Sequence, residues 1–309
     1  MEAKYLELED EVFEKVSKEE KRGNELLRPS LTYWQDVRQR LKKDKMATVG
    51  LIIIIVVTFF AIFGPFISPY EYDEQNFSIS NQSPTLAHIF GTDQFGRDIF
   101  VRVMYGARIS LSIGFVASII NLTIGAIYGG IAGLSGGTTD NVMMRIVDIL
   151  YSIPTMIYVI LLMVVIGSGL KSIFITLGIS YWAGMARIVR SEVLRIKQEE
   201  FVLSAKVLGT SRRRILLRHI LPNAMGPIIV NLTLSIPNAI FTEAFLSFVG
   251  LGVSAPMASW GVLVNDAISS LSLYPYQLLF PAAAICITIL GFNFLGDGLR
   301  DALDPKLRK

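Results

Sequence analysis

EEFVLSAKVLGTSRRRILLRHILPN, residues 199–223, is the only long polar and basic stretch in the second half of an otherwise apolar chain. Its spacing predicts two short helices around a glycine. Over 199–208 the apolar residues Phe201, Val202, Ala205 and Leu208 recur at helical spacing. Gly209 follows where a helix end calls for positive φ, a conformation open to a residue without Cβ. Ser211 stands where a hydroxyl caps the free amides of the next helix, which carries Arg212, Arg213, Arg214 and Arg218. Pro222 marks the turn back into apolar sequence. Two readings fit this elbow: a knob that docks a soluble partner, or a positively charged loop that only fixes membrane topology.

The flanking sequence decides what the elbow is set in. Of 309 residues, 52% are hydrophobic and 18% charged, with mean hydropathy +0.50. That is too apolar for a water-soluble domain and predicts an all-α, polytopic membrane protein. The net charge of +3 says little as a total, but its basic residues gather in two clusters. A single cysteine, Cys286, in an apolar run excludes a disulfide framework or a cysteine-rich zinc site. His88 and His219 fall in polar stretches and read as loop residues, so no metal site is expected. The first apolar run has no small-residue cleavage site behind it and is expected to be an uncleaved anchor.

A helix needs about 20 apolar residues to cross the hydrocarbon, and six spans are expected on that scale. Residues 1–45 form a cytoplasmic tail, with disorder or a loose helix over 1–30. It then turns basic through Arg38, Arg40, Lys42, Lys43 and Lys45, either as a segment along the inner leaflet or as a plain topology signal. The first span is 46–67, ended by Pro65 and Pro69, and 68–108 is an extracellular or interfacial loop. Residues 109–300 hold five more spans and the elbow loop at 190–225, and 301–309 form a cytoplasmic tail.

Within that core, 109–134 carries Gly125, Gly129 and Gly133, a doubled small-residue face for close helix packing. In 142–166, Arg145 and Asp148 are three apart and set to pair on one helix face, and Pro154 kinks the helix. The next span, 170–189, is expected to break at Gly178 and Gly184. The fifth, 226–250, contains Pro227, Pro237 and Glu243. A carboxylate in lipid is costly, so Glu243 is expected to face the bundle interior, in a functional or a structural role. Residues 251–277 lie outside, with Trp260, Tyr274 and Tyr276 as interface anchors, and the sixth span is 278–295. The basic clusters place both termini and the elbow in the cytoplasm. Arg97, Arg102 and Arg108 run against that rule and are expected on an interfacial segment packed against protein.

Several chemistries are excluded. No GxxxxGK[ST] loop is present, so the chain is not expected to hydrolyse ATP or to be an enzyme. With no histidine in a span, an intramembrane serine hydrolase lacks its base. No internal repeat and few midplane ionisable residues argue against a proton-driven secondary transporter. An elbow anchored between two spans is poorly placed to enter a DNA groove, and no nucleic acid is expected.

The elbow resembles the coupling motif of ABC-importer permeases, with Ser204, Ala205, Gly209, Leu221 and Pro222 at matching positions. It departs from that motif at Leu203, where an acidic residue is expected, and at His219, where an apolar one is. Four further stretches resemble the dipeptide and oligopeptide branch. They are GTDQFGRDIFVRVMYGARISL from Gly91, MRIVDILYSIP from Met144, EAFLSFVGLGV from Glu243 with PMASWG behind it, and the terminal GDGLRDALDPKLR. The long N-terminal tail and the GTDxxGRD stretch look like the C-type of two paired permease subunits.

The resemblance implies a second permease as partner, two cytosolic ATP-binding subunits, an extracellular substrate-binding protein and surrounding membrane lipid. ATP and Mg belong to the ATPases, with no cofactor on this chain. It implies a multi-pass subunit of the bacterial plasma membrane that imports oligopeptides or dipeptides. The alternatives are nickel or another small solute carried by the same machinery, or an ATPase-independent secondary transporter. Glu200, Phe201, Val202, Ser204, Ala205, Gly209, Arg213, Leu221 and Pro222 are the expected coupling residues. Among these, Phe201, Val202 and Ala205 are the expected groove contacts, while the arginines face the ATPase or anionic lipid. Gly125, Gly129 and Gly133 are expected to pack helices, and Asp148 and Glu243 to be intramembrane polar supports.

Overall fold

The computed structural model describes residues 32–304; the expectations for 1–30 and for the last five residues lie outside this range. Residues 32–36 belong to a separate unit, in which Tyr33 and Trp34 meet edge to face with centroids 5.1 Å apart. In chain order the helices are α1 (Tyr33–Lys43), α2 (Lys45–Ile67), α3 (Ile99–Ser135), α4 (Gly137–Ser152), α5 (Thr155–Ile166) and α6 (Leu170–Ile196). They continue as α7 (Glu200–Val207), α8 (Arg212–Ile215), α9 (Met225–Phe248), α10 (Trp260–Ile268) and α11 (Tyr276–Leu303). A π-helical turn, Leu216–Ile220, and a single turn, Leu221–Asn223, join α8 to α9. Among the described residues there is no strand, only an isolated bridge between Thr92 and Asp98. Five helices, α2, α3, α6, α9 and α11, are long and apolar enough to cross a membrane, and α4 with α5 makes a sixth if that bent pair is one span. This is the all-α polytopic architecture that the composition predicts.

Where α2 begins, Asp44 accepts hydrogen bonds from the Met46 and Ala47 amides at 2.8 and 3.1 Å. Pro65 does not end the helix; it lies inside it. A proline lacks the amide that would bond the carbonyl four residues back, here that of Ala61. Arg108 of α3 supplies the missing donor. Its Nε donates to the Ala61 carbonyl at 2.5 Å and its Nη2 to that of Ile62 at 2.6 Å.

The expected loop 68–108 is shorter, because α3 begins at Ile99 and runs for 37 residues, about 55 Å at 1.5 Å per residue. Asp98 caps it by accepting from the Val101 amide at 2.9 Å. Arg102 and Arg108 dilute the apolar pattern of the first turns and hide the start from a hydropathy reading. Both have partners inside the protein. Arg102 is 1% exposed, lies 3.6 Å from both Asp93 and Asp266, and donates to the Tyr72 carbonyl. Arg97 donates to Asp93 at 2.6 Å. Burial holds the Asp266 carboxyl above its ordinary pKa, with Arg102 and then Arg97 pulling it back. Arginines so paired are packing groups, and they carry little topological information.

Pro154 does more than kink its span. The residue before a proline is pushed toward extended backbone, Ile153 sits at φ −94° and ψ 128°, and the axis turns by 87°. The Pro154 carbonyl then starts α5 by accepting from the Ile157 and Tyr158 amides at 3.0 and 3.2 Å. The expected Arg145–Asp148 pair does not form. Asp148 instead accepts from Arg187 of α6 at 2.7 Å, and Asp140 takes two bonds from Arg190, so α4 is strapped to α6.

Helix α6 runs unbroken through Gly178 and Gly184, where Ile120 and the Tyr151 hydroxyl occupy the space a Cβ would fill. A single glycine costs a helix only about 1 kcal/mol, less than such packing returns. Helix α11 continues to Leu303, past the expected end at 295, and takes in residues 301–303 of the expected tail.

Two further expectations are corrected by burial. Trp260 is not an interface anchor: it is buried at the start of α10, its Nε1 donating to the Val103 carbonyl at 2.9 Å. His88 is not a surface loop residue: it is buried, with Nδ1 2.8 Å from Asp98 and its ring stacked on Tyr70.

Candidate coupling surface and membrane path

The elbow is built as a capped helix turn. Helix α7 closes in a Schellman arrangement, the Thr210 amide donating to the Ala205 carbonyl and the Gly209 amide to that of Lys206. Gly209 has φ +77° and nothing within 4 Å of where its Cβ would stand, so the demand for glycine is conformational and not steric. Ser211 accepts from the Arg214 amide at 3.4 Å and starts α8.

The apolar face expected on α7 divides in two. Val202 is 4% exposed and packs into a core with Val193, Ile196, Ile215 and Ile220, and Ala205 is buried as well. These two residues lie on the inward side of α7, away from its exposed face. An eight-residue helix can hold a fixed angle to its spans only by burying a stripe against them, and positions three apart form that stripe. Phe201 and Leu203 are half exposed, while Val207 and Leu208 stand at 87% and 83%. Leu203 and Val207, four apart, make an apolar ridge flanked by Phe201 and Leu208 on a polar loop, the kind of surface that marks an interaction site. Leu203 and Val207 were missed by the sequence reading because the spacing alone does not say which of two apolar stripes turns inward. Glu200, Ser204, Arg213 and Pro222 are exposed around the ridge, as are Arg212, Arg214 and Arg218, and Leu221 is partly buried.

The core under the elbow includes Val193 and Ile196 of α6, and α6 meets α3 along the glycines. A Cβ at Gly125 would stand 2.5 Å from the Met185 Cβ, and one at Gly133 2.9 Å from the Val193 Cβ. One at Gly129 would run into the backbone of Ala186. The seam is thus an interface inside this chain. Lys197 adds to it by donating to the Gly133 carbonyl at 2.8 Å.

Glu243 sits fully buried in α9, and three hydroxyls donate to its carboxylate. Ser110 of α3 reaches Oε2 at 3.1 Å, while Ser247 and Ser259 reach Oε1 at 2.7 and 2.6 Å. Ser259 also caps α10 through the Val262 amide, and the Trp260 amide donates to Ser110. One carboxylate therefore locks α3, α9 and the entry to α10 together. Asp148 is not part of this cluster; it is half exposed and occupied by Arg187.

A cavity of ≈ 260 Å³ opens at the Pro154 break, between α3, α6 and α9. Its walls include Asn121, Tyr151, Tyr158, Ser180, Tyr181 and Asn238, and none of its lining residues is charged. Interrupted helix at membrane depth is tolerated where it is buried in protein or lines such a cavity. Arg187 stacks over the Tyr151 ring at 4.0 Å while held by Asp148, and is not among the lining residues.

Comparison with known proteins fits this architecture. A family described as the binding-protein-dependent transport system inner membrane component matches residues 99–309. A second, the N-terminal TM domain of oligopeptide transport permease C, matches 32–84. The chain is 52% identical over 287 residues to the oligopeptide transport system permease protein OppC of Bacillus subtilis (strain 168), covering 93% of this chain and 94% of that one. It is 50% identical over 301 residues to the dipeptide permease DppC of the same organism, covering 97% and 94%. Identity to OppC of Escherichia coli (strain K12) is 43%, covering 89% and 92%. Among solved structures, the inward-facing MetNI methionine ABC transporter is similar in fold, with TM-score 0.53 and 19% identity over 66% of this chain and 96% of that chain. The chain belongs to the inner-membrane permeases of binding-protein-dependent ABC importers, on the branch of the oligopeptide and dipeptide transport permeases C.

Proposed function

We propose that this chain is one half of the membrane path of an ATP-driven importer of oligopeptides or dipeptides, with a second permease as the other half. Similarity to peptide permeases along more than nine-tenths of the chain carries this reading. It supports peptides over nickel or another small solute. The chain itself is not an enzyme. Two cytosolic subunits hold ATP and Mg and dock on the elbow, and an extracellular binding protein delivers the cargo. Both termini and the elbow lie on the cytoplasmic side of a bacterial plasma membrane, in keeping with the basic residues at α1 and α8.

The geometry supports a lever. Phe201, Leu203, Val207 and Leu208 present the docking ridge, and Val202 and Ala205 fasten it to α6. Glycine-tight contact then passes the displacement from α6 to α3, because packed interfaces move as units or switch, and do not stretch. Glu243 and Asp148 act as structural ties in that bundle, with no part in chemistry. The test is uptake of a labelled pentapeptide by vesicles holding the whole purified complex, with and without ATP. Accumulation is expected only with ATP and the binding protein. Uptake that survives removal of the ATP-binding subunits would place the chain among secondary transporters.

A further inference from the structure

We propose that the neutral cavity at the Pro154 break is a subsite for the peptide main chain, with Asn121 as its specificity-determining residue. This rests on the peptide-importer reading above and adds to it where, and by what chemistry, this chain meets its cargo. The central observation is an unspent polar group. Asn121 is 3% exposed and lines the cavity, yet its Oδ1 has no hydrogen-bond partner. Buried polar atoms of this kind are rare, because an unmade bond forfeits the water given up on burial.

Several neighbouring groups already bond within the protein. The Tyr181 hydroxyl pairs with Thr242, and Ser180 donates to the Thr176 carbonyl. Ser235 donates to Ser118 and to the Leu232 carbonyl, and Asn238 Nδ2 donates to the Leu234 carbonyl. Among the lining residues Asn121 holds the buried polar atom left without a partner, and it gains from a ligand offering a complementary amide. Turned either way, its carboxamide pairs with the N–H or the C=O of a peptide unit.

The lining fits the rest of a peptide as well. With no charge among the lining residues, the cavity neither attracts nor repels acidic or basic side chains, whereas every peptide carries the same neutral main-chain amides. Tyr151 and Tyr158 add flat apolar area with a polar tip. A volume of ≈ 260 Å³ lies just under the usual range for ligand pockets, which suits a short run of main chain with the second permease closing the other side.

The experiment uses the complete reconstituted complex, with Cys286→Ser to remove the native thiol and Ser180→Cys as reporter. Trialanine is titrated against alkylation of the reporter by N-ethylmaleimide, and ATP-driven uptake of trialanine is measured in the same vesicles. Trialanine is expected to protect the reporter, and Asn121→Leu to raise the half-protecting concentration about tenfold, the scale of one lost hydrogen bond. Trialanine N-methylated at its amides is expected to protect about tenfold less well in the Asn121 protein, with the difference abolished by Asn121→Leu. If Asn121→Leu does not assemble, the contrast between the two peptides in the Asn121 protein decides. Import of trialanine without protection, or equal protection by the two peptides, overturns the subsite and leaves the importer intact. Absence of any peptide import overturns the reading beneath it.

Discussion

A carboxylate out of reach of water has to find donors, and Glu243 finds them on three different segments. That Glu243 turns inward follows from the cost of leaving it in lipid. Its partners do not follow, since Ser110 and Ser259 are brought in only by the fold. Glu243→Ala strands all three hydroxyls and is expected to destabilise the purified protein by roughly 3 kcal/mol, Glu243→Gln by about 1 kcal/mol, read as loss of thermal stability in detergent. Equal stability of both variants to the parent would mean the cluster contributes nothing. At Gly209 the pressure is different. No side chain blocks it, but φ +77° does, and Gly209→Leu is expected to keep the chain in the membrane while weakening ATPase association several-fold in co-purification. Retained association with full uptake would set the coupling role of the turn aside.

Among the elements, α3 shows why some boundaries were legible and others were not. Its middle and end are plain in the glycine spacing and the apolar run. Its first ten residues are disguised by arginines whose partners, Asp93, Asp266 and the carbonyls near Pro65, lie elsewhere in the chain. The proline in α2 and the arginine in α3 are a matched pair, and neither is interpretable alone. Arg108→Leu is therefore expected to destabilise by roughly 1–3 kcal/mol through the stranded Ala61 carbonyl. An unaltered melting curve for that variant would contradict this pairing. The α7 elbow teaches the same lesson about faces. Its ends were readable from Gly209 and Ser211, but the division of its apolar residues depends on the core that α6 and α8 offer. At the seam, Gly129→Val would force α3 and α6 apart and is expected to lower the yield of folded protein sharply, as judged by gel filtration. A monodisperse variant at normal yield would show that the seam tolerates separation.

For the molecule as a whole, composition fixed the membrane class and the order of the spans, because hydrophobic length is a local property. The break at Pro154 was read as a kink, since a proline marks interruption without saying how far the axis turns. The cavity beside it was invisible, because Asn121, Tyr158, Ser180 and Asn238 come together only across four helices. On the proposed reading the chain is a passive half of a path, the exposed apolar ridge of α7 is its handle, and that handle is the central claim. The direct measurement is site-specific photo-crosslinking in the assembled complex, with the probe at Leu208 and, as comparison, at Val202. The account predicts a crosslink from position 208 to an ATP-binding subunit, and only contacts within this chain from position 202. A probe at 208 that labels lipid or this chain alone, while the complex still imports peptide with ATP, would contradict it.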